Sequence, residues 1–338
     1  MAPVELIDKA EAAGLVYLDD GTHGYRRVKR GTGFSYVDPS GDTVDGETRS
    51  RIKSLVIPPA WEDVWISTNP NSHILATGID DAGRKQYIYH PVWEEVRDEI
   101  KFNRLVDFGL RVKRLRKTVD GDLRQPGLPR TKVIALAVSL LDRTLIRVGN
   151  RRYVNDNDSY GLTTLTGDHV EISGHRVHLE FAGKGGAEHQ MAFRDRRLAA
   201  LITSCQELSG QTLFSYENGN GLTAVTSTDV NDYLATAAKG RFTAKDFRTW
   251  GASTTVASYL AENGHDDHDT AILEAIDAAA EKLGNTRAVA RSSYVHPAVP
   301  EAFVAGRLSD AWSRSRSGKW LARSESALNR ILGETDPD

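Results

Sequence analysis

The stretch HVEISGHRVHLEFAGKGGAEHQMAFR, residues His169 to Arg194, decides the fold class. Apolar and polar residues alternate on both sides of Gly174-His175, which is typical of two antiparallel strands joined by a short turn. A second turn, Gly183 to Gly186, leads to a third strand around His189 to Phe193. We therefore predict a three-stranded antiparallel sheet with Lys184 at the tip of its second hairpin.

Helical periodicity surrounds this sheet, because apolar residues recur on one helix face and capping residues or glycines mark several segment ends. The predicted helices are Thr131–Val148, Arg194–Leu208, Thr228–Ala238, Thr243–Asn263 and Thr270–Leu283. The single cysteine, Cys205, falls on the apolar face of the second helix, where we expect a small core side chain.

The first 90 residues follow a different pattern. Short runs rich in Tyr, Val and Ile alternate with turn residues, as in GYRRVKRGTGFSYVDPSGD, which is typical of antiparallel strands. The period becomes helical after His90, since Pro91 can open a helix. We predict an α+β protein with a small β-rich domain over 1–90 and a larger, mainly α-helical domain over 91–338.

Length and composition agree with this division. The 338 residues favour two domains, at about 150 residues per domain. The 40% hydrophobic and 26% charged residues exclude collagen-like, mucin-like and wholly disordered classes. The longest apolar run, Val133 to Leu141, is far shorter than a membrane span, and no signal-peptide pattern is present. One cysteine excludes an internal disulfide framework, and we expect a cytoplasmic protein.

Charge is unevenly distributed along the chain. The net charge of −3 argues weakly against a nucleic-acid binder, yet ten basic and only three acidic residues lie between Lys101 and Lys132. The segment from Ala261 to Glu281 instead holds seven acidic residues and no Lys or Arg. This distribution suits a protein with one face turned to a polyanion, although solvated helix faces produce charge runs as well.

Several candidate functional residues are weak when taken singly. Arg147 ends a predicted apolar helix just before Gly149, where a cation also complements the helix dipole. Lys184 lies between glycines that would let a ligand approach closely. Lys245 and Arg248 lie three residues apart on one helix face, where two cations repel each other unless an anion faces them.

The order of these residues is more informative than any one of them, because it resembles the catalytic set of the compact poxvirus and bacterial type IB DNA topoisomerases. In chain order the matching residues are Arg147, Lys184, Lys245, Arg248, Asn285 and Tyr294, and all of them except Lys245 correspond to the family's catalytic pentad. The segments IRVGNRRYVNDNDSYGLTTLTGDHVEI, FAGKGGAEH, KDFRTWG and SSYVHPAV resemble that family's blocks, and GRKQYIYHPVW resembles its DNA-clamp region. One departure is Asn285, because many members carry His there.

The resemblance implies a mechanism. Tyr294 would attack a DNA phosphodiester to give a 3′-phosphotyrosine and a free 5′-hydroxyl strand that rotates before it attacks back. Arg147, Arg248 and Asn285 would stabilise the developing charge, and Lys184 would protonate the leaving oxygen. Lys245 could share that proton transfer or hold a phosphate. The implied protein is a nucleoid-associated monomer that clamps double-stranded DNA in a C shape and needs no ATP, metal ion or other cofactor.

Further DNA contacts are predicted outside the catalytic set. Alternation along a strand would place Gln86 on one side and Lys85, Tyr87 and Tyr89 on the other, for groove contact or for ordinary packing. The predicted DNA-binding residues are Arg84, Lys85, Gln86, Tyr87, Tyr89, Tyr153 and Lys245.

Three alternatives compete with this interpretation. His265 to Asp269 contains imidazole and carboxylate groups that could bind a metal, but its position before Thr270 favours helix capping. A tyrosine recombinase shares the Arg, Lys, Arg and Tyr chemistry, but the strands of the first domain and Lys245, where recombinases commonly have His, argue against it. A DNA-binding module without catalysis is disfavoured because all five expected residue types are present.

Overall fold

The computed structural model describes residues 4–151, 154, 158–208 and 210–333. It divides into two compact units, Met1–Asn103 and Arg104–Asp338. None of the helices in the described part of the chain combines the length and apolar character needed to span a membrane.

The first unit is built on a five-stranded antiparallel sheet. Its strands are β1 (Tyr25–Arg30), β2 (Gly33–Val37), β3 (Glu62–Ile66), β4 (Ile74–Ile79) and β5 (Lys85–Tyr89), in the order β2-β1-β3-β4-β5. Helices α1 (Val4–Ala12) and α2 (Gly46–Ser54) belong to the same unit. Ile52 of α2 packs against Val64 and Ile66 of the sheet to form the main core of this unit.

Helix α3 (Pro91–Asp122) begins at the predicted proline and crosses the division between the units. Trp93 in its first turn is buried against Ala10 and Leu15 of the first unit. From Leu105 onward, its apolar side chains lie in the core of the second unit. The units therefore divide within α3, between Asn103 and Arg104, whereas the change of sequence period placed the domain boundary at the helix start.

The second unit is mainly helical around a small sheet. Strands β6 (Val170–Ser173), β7 (Arg176–Ala182) and β8 (Glu188–Arg194) form the predicted three-stranded antiparallel sheet, and β9 (Ser215–Glu217) and β10 (Leu222–Ala224) form a two-stranded one. The helices are α4 (Arg130–Thr144), α5 (Arg196–Glu207), α6 (Ser227–Ala238), α7 (Ala244–Asn263), α8 (His268–Leu283), α9 (Arg287–Ser293), α10 (Ala298–Val304), α11 (Arg307–Ser313) and α12 (Arg323–Gly333). The predicted α+β class is confirmed.

Helices α4 and α7 occupy the centre of this unit. Nearly every apolar residue of α4 is buried, and Phe247 and Trp250 of α7 make edge-on contacts with Phe108 of α3. Cys205 is buried in the same core, as expected, and burial raises the pKa of its thiol to about 11. The rigid core fixes the ends of both central helices, where the candidate site lies.

Candidate active site

Arg147 lies beyond the end of α4, because that helix stops at Thr144. Leu145 adopts the left-handed conformation with φ 56°, and its N–H donates to the carbonyl of Leu141. The expectation that Arg147 ends this helix just before Gly149 is therefore wrong. Tertiary contacts end the helix instead, since the Leu145 carbonyl accepts a hydrogen bond from Arg248.

Arg248 is a buried cation on α7, with 4% of its surface exposed. Its Nη1 donates to the carbonyl of Leu145, and its Nη2 donates to the carbonyl of Leu283 at 3.1 Å. Burial lowers the pKa of Arg248, but the ordinary value for arginine is so high that the guanidinium stays charged. These two hydrogen-bond partners are carbonyls and no carboxylate among the described residues pairs with it, so the positive charge of Arg248 is uncompensated.

Asn285 and Tyr294 approach the two arginines from the segments that follow α8. Arg147 Nη2 donates to Asn285 Oδ1. Tyr294 caps the C-terminus of α9, and the Cζ of Arg248 lies 4.9 Å from the centroid of its ring. We call these four residues the Arg–Tyr cluster: Arg147, Arg248, Asn285 and Tyr294.

The electrostatics of the Arg–Tyr cluster favour an oxyanion. Burial raises the pKa of Tyr294, but the charge of Arg248, with those of Arg147 and Lys245, more than offsets this, so the pKa lies below its ordinary value. Within the described residues, Arg248 Nε and Asn285 Nδ2 are buried donors that have no hydrogen-bond partner. Unpartnered buried donors are costly, and a bound anion would satisfy both.

Lys184 lies at the tip of the β7–β8 hairpin, as the glycine pattern predicts. The Gly183 N–H donates to the Ala187 carbonyl at 2.8 Å, and Gly185 and Gly186 have φ 77° and 75°. The Lys184 side chain is exposed, and no contact between described residues joins it to the Arg–Tyr cluster. Lys245 is exposed on α7, one helical turn from Arg248.

His189 of β8 is a neighbour of the cluster that sequence reasoning missed. It pairs with Phe181 across the hairpin, and the two rings stack with centroids 5.0 Å apart. Burial lowers the pKa of His189, and the charges of Arg147 and Arg248 lower it further. In the sequence, the only available signal was its position on the buried side of a predicted strand.

The residues predicted to contact DNA on β5 mostly bind groups of their own unit. Gln86 donates to Asp80 at 2.8 Å, and Lys85 forms an ion pair with Asp20. Tyr87 and Tyr89 share a face, as the alternation predicts, with ring centroids 5.6 Å apart. Arg84 also binds Asp80, and Tyr87 is 42% exposed. Tyr153 lies outside the described residues.

In the basic segment, Lys101 to Lys132, most of the basic side chains bond to other groups of the protein. Seven of its ten basic side chains hold carboxylates or carbonyls of the protein: Lys101, Arg104, Arg111, Arg116, Arg124, Arg130 and Lys132. The other three, Lys113, Arg114 and Lys117, are exposed on one face of α3 and make no ion pair within the described ranges. We call these three residues the α3 basic stripe.

The helix-capping interpretation of His265 to Asp269 is confirmed. Asp267 caps α8 and accepts hydrogen bonds from the N–H of Thr270, at 3.2 Å, and from its hydroxyl, at 2.7 Å. His268 packs edge-on against Phe303.

Comparison with known proteins decides the family. A family model of the bacterial DNA topoisomerase IB N-terminal domain matches residues 33–80. A model of the eukaryotic DNA topoisomerase I catalytic core matches residues 90–303, well over half of the chain. The chain belongs to the type IB DNA topoisomerases. The resemblance seen in the order of the sequence motifs is thereby confirmed.

The chain is similar to individual type IB topoisomerases over different lengths of sequence. The DNA topoisomerase 1B of Acanthamoeba polyphaga mimivirus is 34% identical over 285 residues, covering 80% of this chain and 85% of that protein. The DNA topoisomerase 1B of vaccinia virus (strain Copenhagen) is 23% identical over 170 residues, covering 49% of this chain and 54% of its own length. The Arg–Tyr cluster and Lys184 lie within the region that matches the topoisomerase catalytic core.

Proposed function

We propose that this chain relaxes supercoiled double-stranded DNA by cleaving one strand through a transient 3′-phosphotyrosyl link at Tyr294. The observation that carries the proposal is the Arg–Tyr cluster, in which a tyrosine with a lowered pKa lies against a buried, uncompensated guanidinium. Its two unpartnered donors, Arg248 Nε and Asn285 Nδ2, suit the non-bridging oxygens of a phosphate.

The cleavage step follows from these groups. The Tyr294 hydroxyl loses its proton to solvent water and its oxygen attacks phosphorus, so that a new O–P bond forms while the bond from phosphorus to the 5′ oxygen breaks. Arg147 and Arg248 offset the charge that develops on the phosphate oxygens. The lowered pKa makes Tyr294 a better nucleophile near neutral pH because a larger fraction is ionised.

The leaving 5′ oxygen takes a proton from the Lys184 ammonium. Lys245 favours ionisation of Tyr294 through its charge. After the free strand rotates, its 5′-hydroxyl attacks the phosphotyrosine and gives its proton back to Lys184. Tyr294 leaves as the phenolate and regains a proton from solvent water. Because the covalent link keeps the energy of the broken bond, the cycle needs no ATP. The cationic side chains stabilise the charge on the phosphate, which is the role that a metal ion has in other phosphoryl-transfer enzymes.

DNA binding is assigned to surfaces outside the cluster. The first unit presents Tyr87 at its surface, and the second presents the α3 basic stripe. We assign the β-rich part to gripping the duplex and the helical part to catalysis. One chain supplies every proposed catalytic group, so a monomer suffices, and a DNA substrate implies association with the nucleoid.

Supercoiled plasmid incubated with the purified protein, EDTA and no nucleotide tests this function. We expect a ladder of relaxed topoisomers on an agarose gel, with nicked, protein-linked DNA when the reaction is stopped with detergent. Absence of relaxation would contradict the proposal, and joined products from two specific sites would indicate a recombinase instead.

Binding to duplex DNA should depend steeply on salt, in part through the α3 basic stripe. Changing Lys113, Arg114 and Lys117 to Gln should weaken binding and reduce the slope of log affinity against log salt by about 3, roughly one per lost phosphate contact. The measurement is a fluorescence-anisotropy titration at several salt concentrations.

A control with the same change in net charge isolates the effect of position. Arg307, Arg314 and Arg330 lie on or next to α11 and α12. Their triple Gln variant should keep most of the wild-type salt slope. Equal slopes for the two triple variants would mean that the stripe makes no phosphate contacts of its own.

A further inference from the structure

The ring of His189 fills the space between two glycines from distant parts of the chain. A Cβ atom at Gly183 would lie 2.5 Å from His189 Cδ2 and Nε2, and one at Gly284 would lie 2.3 Å from His189 Cε1. Both distances are far below van der Waals contact, so the ring lies directly against the backbone at both positions. Gly183 begins the turn that carries Lys184, and Gly284 immediately precedes Asn285.

The loop at the end of α8 is held at three successive residues. Arg248 donates to the carbonyl of Leu283 at 3.1 Å, the His189 ring packs against Gly284, and Arg147 donates to Asn285 Oδ1. Two of these contacts come from the Arg–Tyr cluster, whereas the middle one comes from the β7–β8 hairpin. His189 therefore joins the hairpin directly to the loop of the cluster.

The opposite side of the ring is also fixed. Phe181 stacks on His189 with an interplanar angle of 18°, and the two residues are paired across β7 and β8. Lys184 lies only three positions after Phe181, about 10 Å of extended chain. The position of this stacked pair consequently determines where the turn can place the Lys184 ammonium.

We propose that His189 is a positioning residue that holds the base of the β7–β8 hairpin against the Gly284 loop and so directs Lys184 to the leaving 5′ oxygen. This inference rests on the proposed function. His189 acts through Lys184 and makes no contact of its own with the reacting atoms. Its lowered pKa keeps the ring neutral, which suits a packing role beside two arginines.

The test compares two duplexes at a cleavage site first mapped with the wild-type protein. One has the ordinary phosphodiester, and the other has sulfur in place of the bridging 5′ oxygen. A thiolate leaves without being protonated because a thiol has a pKa near 8.5, so the sulfur duplex does not need Lys184. His189→Ala should slow single-turnover cleavage of the ordinary duplex about 10- to 100-fold and leave cleavage of the sulfur duplex unchanged.

Equal slowing on both duplexes, or no slowing on either, would overturn the role of His189. The double variant His189→Ala/Lys184→Ala should cleave the ordinary duplex no more slowly than Lys184→Ala alone, because both changes act on one step. Failure of the proposed function would show separately, because the wild-type protein would then cleave neither duplex. Cleavage of the ordinary duplex by Lys184→Ala at the wild-type rate would instead remove Lys184 from the reaction and overturn the role of His189 with it.

A second variant disrupts the contact between His189 and the turn but keeps the histidine. Gly183→Ala would force the ring away from the turn. We therefore expect it to slow cleavage of the ordinary duplex and to leave the cleavage rate of the sulfur duplex unchanged. Gly33→Ala is the matched control, because Gly33 is likewise next to a hairpin turn and its Cβ would meet nothing nearer than 3.9 Å. Thermal melting of each variant verifies that it is folded. A Gly183→Ala protein with wild-type rates on both duplexes would contradict the proposal.

Discussion

Tyr294→Phe should abolish the covalent protein–DNA complex and lower plasmid relaxation by at least about 10⁴-fold, because the attacking oxygen is lost while the other groups remain. Binding to duplex DNA should stay within about twofold of the wild type, since the aromatic ring still packs beneath Arg248. The measurement is the amount of labelled duplex that stays attached to protein in a denaturing gel.

A second tyrosine provides the control for this change. Tyr259 lies on α7, and its hydroxyl donates to Glu274 at 3.2 Å, outside the Arg–Tyr cluster. Tyr259→Phe should form the covalent complex at the wild-type rate. Covalent complex formed by Tyr294→Phe would assign the nucleophile to another residue.

Arg147→Ala should slow cleavage about 10³-fold, the upper range for loss of one preorganised donor to a transition-state oxyanion. The variant also removes the hydrogen bond that orients Asn285. Arg147→Lys keeps the charge but not the planar fork, so its rate should fall between those of the wild type and the Ala variant. Single-turnover cleavage of a labelled duplex measures all three rates.

The control for Arg147 is Arg143, which pairs with Asp195 on the exposed surface. Arg143→Ala should leave the cleavage rate within about twofold of the wild type, because exposed ion pairs contribute little. If Arg147→Ala were no slower than Arg143→Ala, Arg147 would have no part in the reaction.

The same Arg147 substitution should change the pH dependence of cleavage. Burial raises the pKa of Tyr294, and the charges of Arg248, Arg147 and Lys245 lower it by more. Removing Arg147 therefore raises the pKa of Tyr294, so the alkaline rise in cleavage rate should move to higher pH. An unchanged pH profile would mean that Arg147 does not influence ionisation of the nucleophile.

Local sequence patterns predicted the elements that carry the candidate site but not all of their ends. The glycines around Lys184 indicated the hairpin, and the period of AKDFRTWG indicated the helix of Lys245 and Arg248. The end of α4 was missed because no glycine marks it. Leu145 ends that helix through a contact with Arg248, which lies 103 residues away in the sequence.

Long-range pairing also explains why the sequence predicted more free positive charge between Lys101 and Lys132 than the folded chain has. Arg104 binds Asp246, 142 residues away, and Arg116 binds Glu325, 209 residues away. Neither partner is identifiable from local sequence. The role proposed for His189 could not be predicted from the sequence for the same reason. It depends on two glycines that lie against the His189 ring only in the folded chain.

The anchoring of Arg248 has a consequence for the proposed cleavage reaction. Its guanidinium is held by carbonyls at the ends of two helices, at Leu145 after α4 and at Leu283 in α8. A nascent or partly unfolded chain has the tyrosine but lacks the assembled Arg–Tyr cluster. On the proposed mechanism, DNA strand cleavage therefore requires the native fold around Arg248.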